Sequence, residues 1–190
     1  KGGSNSGPPK VAGCGAAQIP GDPYSPPCVQ FSGGNGGATS RGVTADKIVV
    51  SVRVGSFANG MLDALSKVAN AKIPNESPQV ITKTVDGLVE YFNKRFQFYG
   101  RKLEVVKWDG KGDVLKETTG GGQEGAQADA LKVSQEIKAF ADVSAVSPVY
   151  ADALASKQVI NIGVPFTSRE WMTQRKPWSW SQFTDCSTVV

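Results

Sequence analysis

An α/β fold built on a parallel sheet is predicted by three observations. Four short apolar runs read as strands, at 47–55, 102–108, 142–146 and 159–165. Stretches with helical spacing of apolar residues separate them. The strand runs are also nearly continuous in apolar character, which suits strands covered on both faces. The order β-α-β-α-β-α-β gives a parallel sheet with right-handed crossovers and helices on both faces.

Each element has a local justification. "KIVVSVRVG" places Ile48, Val50, Val52 and Val54 on one face, and Val49 makes the run almost unbroken. "NGMLDALSKVANA", 59–71, carries Leu62, Leu65 and Ala69 at helical spacing, and the prolines of "KIPNESPQ" end it. A main helix is expected from Thr84, a fitting N-cap, with the stripe Val85, Leu88, Val89, Phe92 and Phe96. Gly100 stops it, and "KLEVVKW" follows as the second strand. "DGKGDVLKETTGGGQEG" reads as a long mobile loop. The next helix aligns Ala126, Ala130, Val133 and Ile137. Ser147 then caps a short helix whose first position is Pro148, where proline is preferred. The last 25 residues hold three of the four tryptophans and fit no repeat of this pattern.

The 190 residues suffice for one domain with a core. Glycine and proline concentrate in 1–42 and 110–125, which sets 1–42 apart as an extended arm. The expected organisation is an arm at 1–42, an α/β unit at 43–168 and a tryptophan-rich tail at 169–190. The net charge of +4 is a mild excess without a dense basic patch, so nucleic acid is not an expected partner. The absence of histidine removes Ser-His-Asp and Cys-His catalysis and histidine-ligated zinc. No apolar run of ~18 residues is present to span a membrane. The start, "KGGSNSGPPK", has neither an initiating Met nor a signal peptide and reads as processed or trimmed.

Cys14 and Cys28 lie in the arm, where a covalent staple has most to add. Closing a loop of about 15 residues restricts the unfolded chain by about 3 kcal/mol in the entropy model. A Cys14–Cys28 disulfide and an exported, extracytoplasmic protein are expected. Two rival readings are metal binding, which lacks further ligands nearby, and lipidation of Cys14 in the lipobox-like "VAGC". The polar residues before that motif cannot form an apolar signal core. Cys186 is either a buried free thiol or has lost its partner.

Ligands in open parallel sheets bind beyond the carboxyl ends of strands. The glycine-rich "GKGD" and "TGGGQEG" match neither the P-loop nor the G-x-G-x-x-G pattern, so they argue against a nucleotide site. Asp109 and Asp113 either contribute to a cation site or cap turns. A serine nucleophile lacks its G-x-S-x-G elbow. Binding without catalysis fits best. Ser147 and the free N–H groups behind it offer a carboxylate or anion site, or else a plain helix cap. Ser56, Thr167 and Ser168 add hydroxyls, while Phe57 and Tyr150 are either ligand contacts or core. No catalytic residue, metal or cofactor is expected.

"GVTADKIVVSVRVG", "VEYFNKRFQFYGRKLEVVKWDGKGD", "EGAQADALKVSQEIKAFADVSAV" and "YADALASKQVINIGVP" together resemble the amino-terminal part of a type I periplasmic solute-binding protein, over about residues 42–168. The branched-chain amino-acid and amide binding proteins of ABC importers are the best-known members, and the cysteine-containing arm and "REWMTQRKPWSWSQF" look like actinobacterial versions. The resemblance implies two Rossmann-like lobes with solute captured between them, and delivery to the membrane subunits of an importer. It implies that Ser56, Phe57, Ser147, Tyr150, Thr167 and Ser168 line this lobe's half of the cleft. Ser147 would hold a ligand carboxylate, and Gly100 and Arg101 would form a structural turn. The connection after the first strand is longer than usual. The sequence stops at Val190, near the expected crossing to a second lobe, so a fragment is expected, with the missing lobe or another chain covering the exposed surface. The alternative is a scaffold or assembly protein that reuses the lobe in a larger extracellular complex.

Overall fold

The computed structural model describes residues 34–55, 78–96, 98–165 and 167–182. The expected Cys14–Cys28 pair, most of the arm, the helix at 59–71, Ser56, Phe57 and Cys186 lie outside the described residues.

The sheet has five parallel strands in the order β2-β1-β3-β4-β5. They are β1 (Lys47–Arg53), β2 (Lys102–Trp108), β3 (Ala141–Asp142), β4 (Ile160–Ile162) and β5 (Ser179–Trp180). The helices are α1 (Pro78–Arg95), α2 (Val114–Thr118), α3 (Gln123–Leu131), α4 (Pro148–Ser156) and α5 (Arg169–Gln174). This is the predicted α/β, Rossmann-like architecture. β1 and β2 pair in register from Lys47↔Lys102 to Arg53↔Trp108. β1 is buried from Val49 to Arg53 on both faces, as its continuous apolar character required.

The core lies between the Val49 face of β1 and the alanine-rich helices α3 and α4. Ala126, Ala130 and Val133 form the expected buried stripe, and Ala151 and Leu154 face them from α4. Small side chains there let the two helices approach closely. α3 winds on as a π-turn over Lys132–Ile137 and stops at Lys138, whose backbone is left-handed (φ 54).

Several expectations are corrected. The main helix starts at Pro78, not Thr84; Thr84 sits inside it and donates its hydroxyl to the Val80 carbonyl at 2.9 Å. A threonine one turn into a helix bonds backward as readily as it caps, and proline at the first position needs no N–H partner. Leu88 is half exposed and falls off the stripe, which runs through Ile81, Val85, Val89, Phe92 and Phe96. The glycine-rich loop is not structureless, because it contains α2 with Asp113 as its cap. The tryptophan-rich segment is not a tail beyond the lobe over 169–180: it adds α5 and the fifth strand.

The turn that carried the resemblance is structural. The Asn93 amide exchanges two hydrogen bonds with the backbone of Leu103 on edge strand β2, at 2.7 and 2.8 Å. Gly100 supplies a positive φ of 83, and buried Arg101 donates to the carbonyls of Asn35, Gly37 and Thr44. Gly42 has φ 70, and a Cβ there would collide with the backbone of 138–140 at the entry to β3.

Candidate functional site

A buried polar cluster fills the carboxyl end of the sheet, where β1 lies between β2 and β3. Ser51 and Arg53 sit on the same face of β1 as Val49, so this strand turns from apolar to polar as it reaches its end. Buried polar groups must be partnered, and here they are partnered across long chain separations.

Arg53 is the centre. Its Nη1 donates to Glu117 Oε1 at 2.9 Å and to Asp129 Oδ2 at 2.9 Å; its Nη2 donates to Glu117 Oε2 at 2.8 Å. The three side chains are 0–2% exposed. The guanidinium also stacks on the Tyr150 ring, 3.8 Å from its centroid. Burial pulls the Arg53 pKa down, but Glu117 and Asp129 outweigh it and hold the pKa above its ordinary value.

Asp142, fully buried at the end of β3, is the second centre. It accepts from the Ser51 hydroxyl, from Ser144 N–H at 2.8 Å, from Ser144 Oγ at 2.7 Å and from Tyr150 OH at 3.2 Å. Burial pushes its carboxyl pKa up, against the opposing pull of these donors. Burial, with Asp142 next, pushes the Tyr150 phenol far above its usual range and keeps it neutral.

The "DGKGD" glycines follow from this cluster. Lys111 N–H and Gly112 N–H donate to the Asp129 carboxylate at 2.8 and 2.9 Å. A Cβ on Gly110 would meet Arg53 and Asp129, and one on Gly112 would meet Glu117 and Arg53. The loop backbone lies directly on the ion cluster, and its N–H groups at 111 and 112 are already engaged with Asp129. Asp113 follows the capping alternative: its Oδ1 accepts from Leu115 N–H at 3.0 Å and Lys116 N–H at 3.2 Å. Among the described residues, no group of three or more Cys, Asp or Glu side chains is placed to hold a metal ion.

Protein-family models, curated proteins and solved structures give no match to this chain.

Two of the sequence-derived candidates meet in this cluster. Ser147 is fully buried; its Oγ accepts Tyr150 N–H at 3.2 Å as the α4 cap and donates to Glu117 Oε2 at 2.6 Å. Tyr150 is fully buried between Arg53 and Asp142. Thr167 is buried after β4, and exposed Ser168 caps α5 by accepting Trp171 N–H at 3.1 Å. A groove opens between α3, α4 and α5, lined by Gln123, Gln127, Val149, Asp152, Trp171 and Arg175 and by none of the cluster residues. Arg175 there pairs with Asp152 at 2.6 Å and stacks on Trp171.

Arg53, Glu117, Asp129 and Asp142 were not among the candidates. One signal was available. Ser51 and Arg53 alternate within a strand that otherwise reads as buried on both faces, and a buried arginine requires a carboxylate partner.

Proposed function

We propose that this chain is a non-catalytic solute-binding lobe that captures a small polar solute at the carboxyl edge of its sheet, outside the cytoplasm, for delivery to an ABC importer. The observation that carries the reading is the strand order β2-β1-β3-β4-β5 with all strands parallel. That order creates a switch point between β1 and β3, the place where open α/β sheets hold ligands. Ser147 and Tyr150 follow β3 at this point as buried supports of the strand ends, and the motif set resembling type I periplasmic binding proteins supports a site at the same strand ends. The buried ion cluster supports it physically, because it holds the strand ends, the loop at 109–113 and the first turn of α4 in one fixed arrangement. A preorganised surface of this kind loses less freedom when a ligand binds.

The test is a thermal-shift panel of amino acids, amides and short carboxylic acids on the complete protein. A binding protein gains Tm with at least one solute, in proportion to the logarithm of its excess over Kd. No response to any solute favours the scaffold reading instead.

A further inference from the structure

We propose that the amino edge of the sheet, opposite the strand ends that carry the ion cluster, is a docking face for an anionic lipid surface. The entries to β3, β4 and β5 bring Lys138, Lys157 and Lys176 into one row, with aromatic side chains at its two flanks. The inference does not depend on the solute-binding reading.

The topology makes the row. In a parallel sheet with crossover helices, each helix ends beside the start of the next strand. Helix carboxyl ends carry partial negative charge and favour cations. Lys138 caps the π-turn before β3, Lys157 caps α4 before β4, and Lys176 follows the Arg175 cap of α5 before β5. These three strands are neighbours in the sheet, so their entries succeed one another at about 4.8 Å. Arg41 extends the row on the β1 side: Gly42 beside it lies against the backbone of 138–140, and Arg41 Nη2 donates to the Gln158 carbonyl. No stretch of sequence shows this patch, because the chain returns to the edge only once per crossover.

The charges lack counter-ions. Lys47 pairs with Glu104, Lys94 with Glu90 and Lys107 with Asp86, whereas Lys138, Lys157 and Lys176 have no carboxylate partner among the described residues. Lys138 and Lys176 are exposed, and Lys157 is partly so. Asp46, at the same edge, is engaged with the Thr44 hydroxyl. The carboxyl edge has the opposite balance, since Arg53 there faces Glu117 and Asp129.

The flanks favour a lipid surface over other polyanions. Tyr99, before β2, is 53% exposed; Trp180, in β5, is 49% exposed, and its Nε1 donates to the Pro177 carbonyl at this edge at 2.7 Å. Tyrosine and tryptophan rings settle at the headgroup level of bilayers. A single-stranded nucleic acid needs aromatics alternating with cations, so that successive bases can stack. Here the cations occupy the middle of the edge and the rings its two ends. Each lysine held near an anionic membrane raises partitioning about fivefold, so three together give about a hundredfold.

The experiment is co-sedimentation of the complete protein with vesicles of phosphatidylcholine alone or with about one third phosphatidylglycerol, at about 50 mM and about 500 mM NaCl. Wild type should bind only the anionic vesicles and release them at the higher salt. Lys138→Gln/Lys157→Gln/Lys176→Gln should lose about a hundredfold in partitioning, with Tm little changed. Lys83→Gln/Lys111→Gln/Lys116→Gln removes the same charge from exposed sites away from this edge and should retain most of the binding. Equal losses in the two triple variants would mean that net charge, not the edge, is responsible, and would overturn the inference. So would wild-type binding that is absent or indifferent to phosphatidylglycerol, or a first triple variant that binds like wild type. Competition by millimolar glycerol phosphate, or tighter binding of a single-stranded oligonucleotide than of vesicles, would also refute a lipid face. Should the first triple variant fail to fold, Lys157→Gln and Lys176→Gln singly decide: each should lower partitioning about fivefold, and no change in either refutes the row.

Discussion

Replacing Arg53 with methionine keeps most of the side-chain volume and removes the charge that two buried carboxylates depend on. Glu117 would retain only the Ser147 hydroxyl among the donors described above. Asp129 would retain the N–H groups of Lys111 and Gly112. Breaking a buried pair from one side costs about 3–5 kcal/mol, because the abandoned ion stays out of water. Against a total stability of about 5–15 kcal/mol, that is a large share. For a domain of this size it lowers Tm by about 6–20 °C. Urea midpoints measure the loss, and adding Glu117→Gln should recover part of it, because one of the two abandoned charges is then gone. A loss below about 1 kcal/mol would refute the reasoning that Arg53 neutralises the cluster.

Two further perturbations test other parts of the fold. Gly42→Ala places a methyl group against the backbone of 138–140 at a left-handed residue, so it should cost at least about 2 kcal/mol in chemical denaturation, and an unchanged midpoint would show that the entry to β3 yields. Asp142→Asn removes a carboxyl whose pKa burial has raised; wild-type stability from that group is complete below about pH 4 and fades as pH rises, so the variant should gain on wild type toward neutral pH, and parallel stability–pH curves would contradict the assignment.

Legibility in the sequence followed locality. The bounds of β2 and the Ser147–Pro148 start of α4 were readable because each depends on a few adjacent residues. The Ala126, Ala130 and Val133 stripe was readable because helical periodicity persists through the π-turn. β3 and β4 are shorter than their apolar runs, since pairing stops where the chain turns into the loops at the strand ends. α2 was hidden because five residues between glycines offer too little periodicity, and its stability comes from the Asp113 cap and Glu117 burial. The ion cluster was hidden for a different reason. Arg53 meets Glu117 and Asp129 across 64 and 76 positions, so no local pattern joins them. β5 was missed because two residues make a strand only through the partner they find in β4.

The Asn93 amide gives the sheet a direction for assembly. At Leu103 it fills the outward hydrogen-bonding positions of β2, so another chain adding a strand there must first break two good bonds. On the opposite flank, among the described residues, no strand pairs with the far side of β5, and Trp180 within it is half exposed. Among the described residues the outward positions of β2 at Leu103 are filled and those of β5 carry no partner strand, so strand-to-strand association is expected at the β5 edge rather than at Leu103.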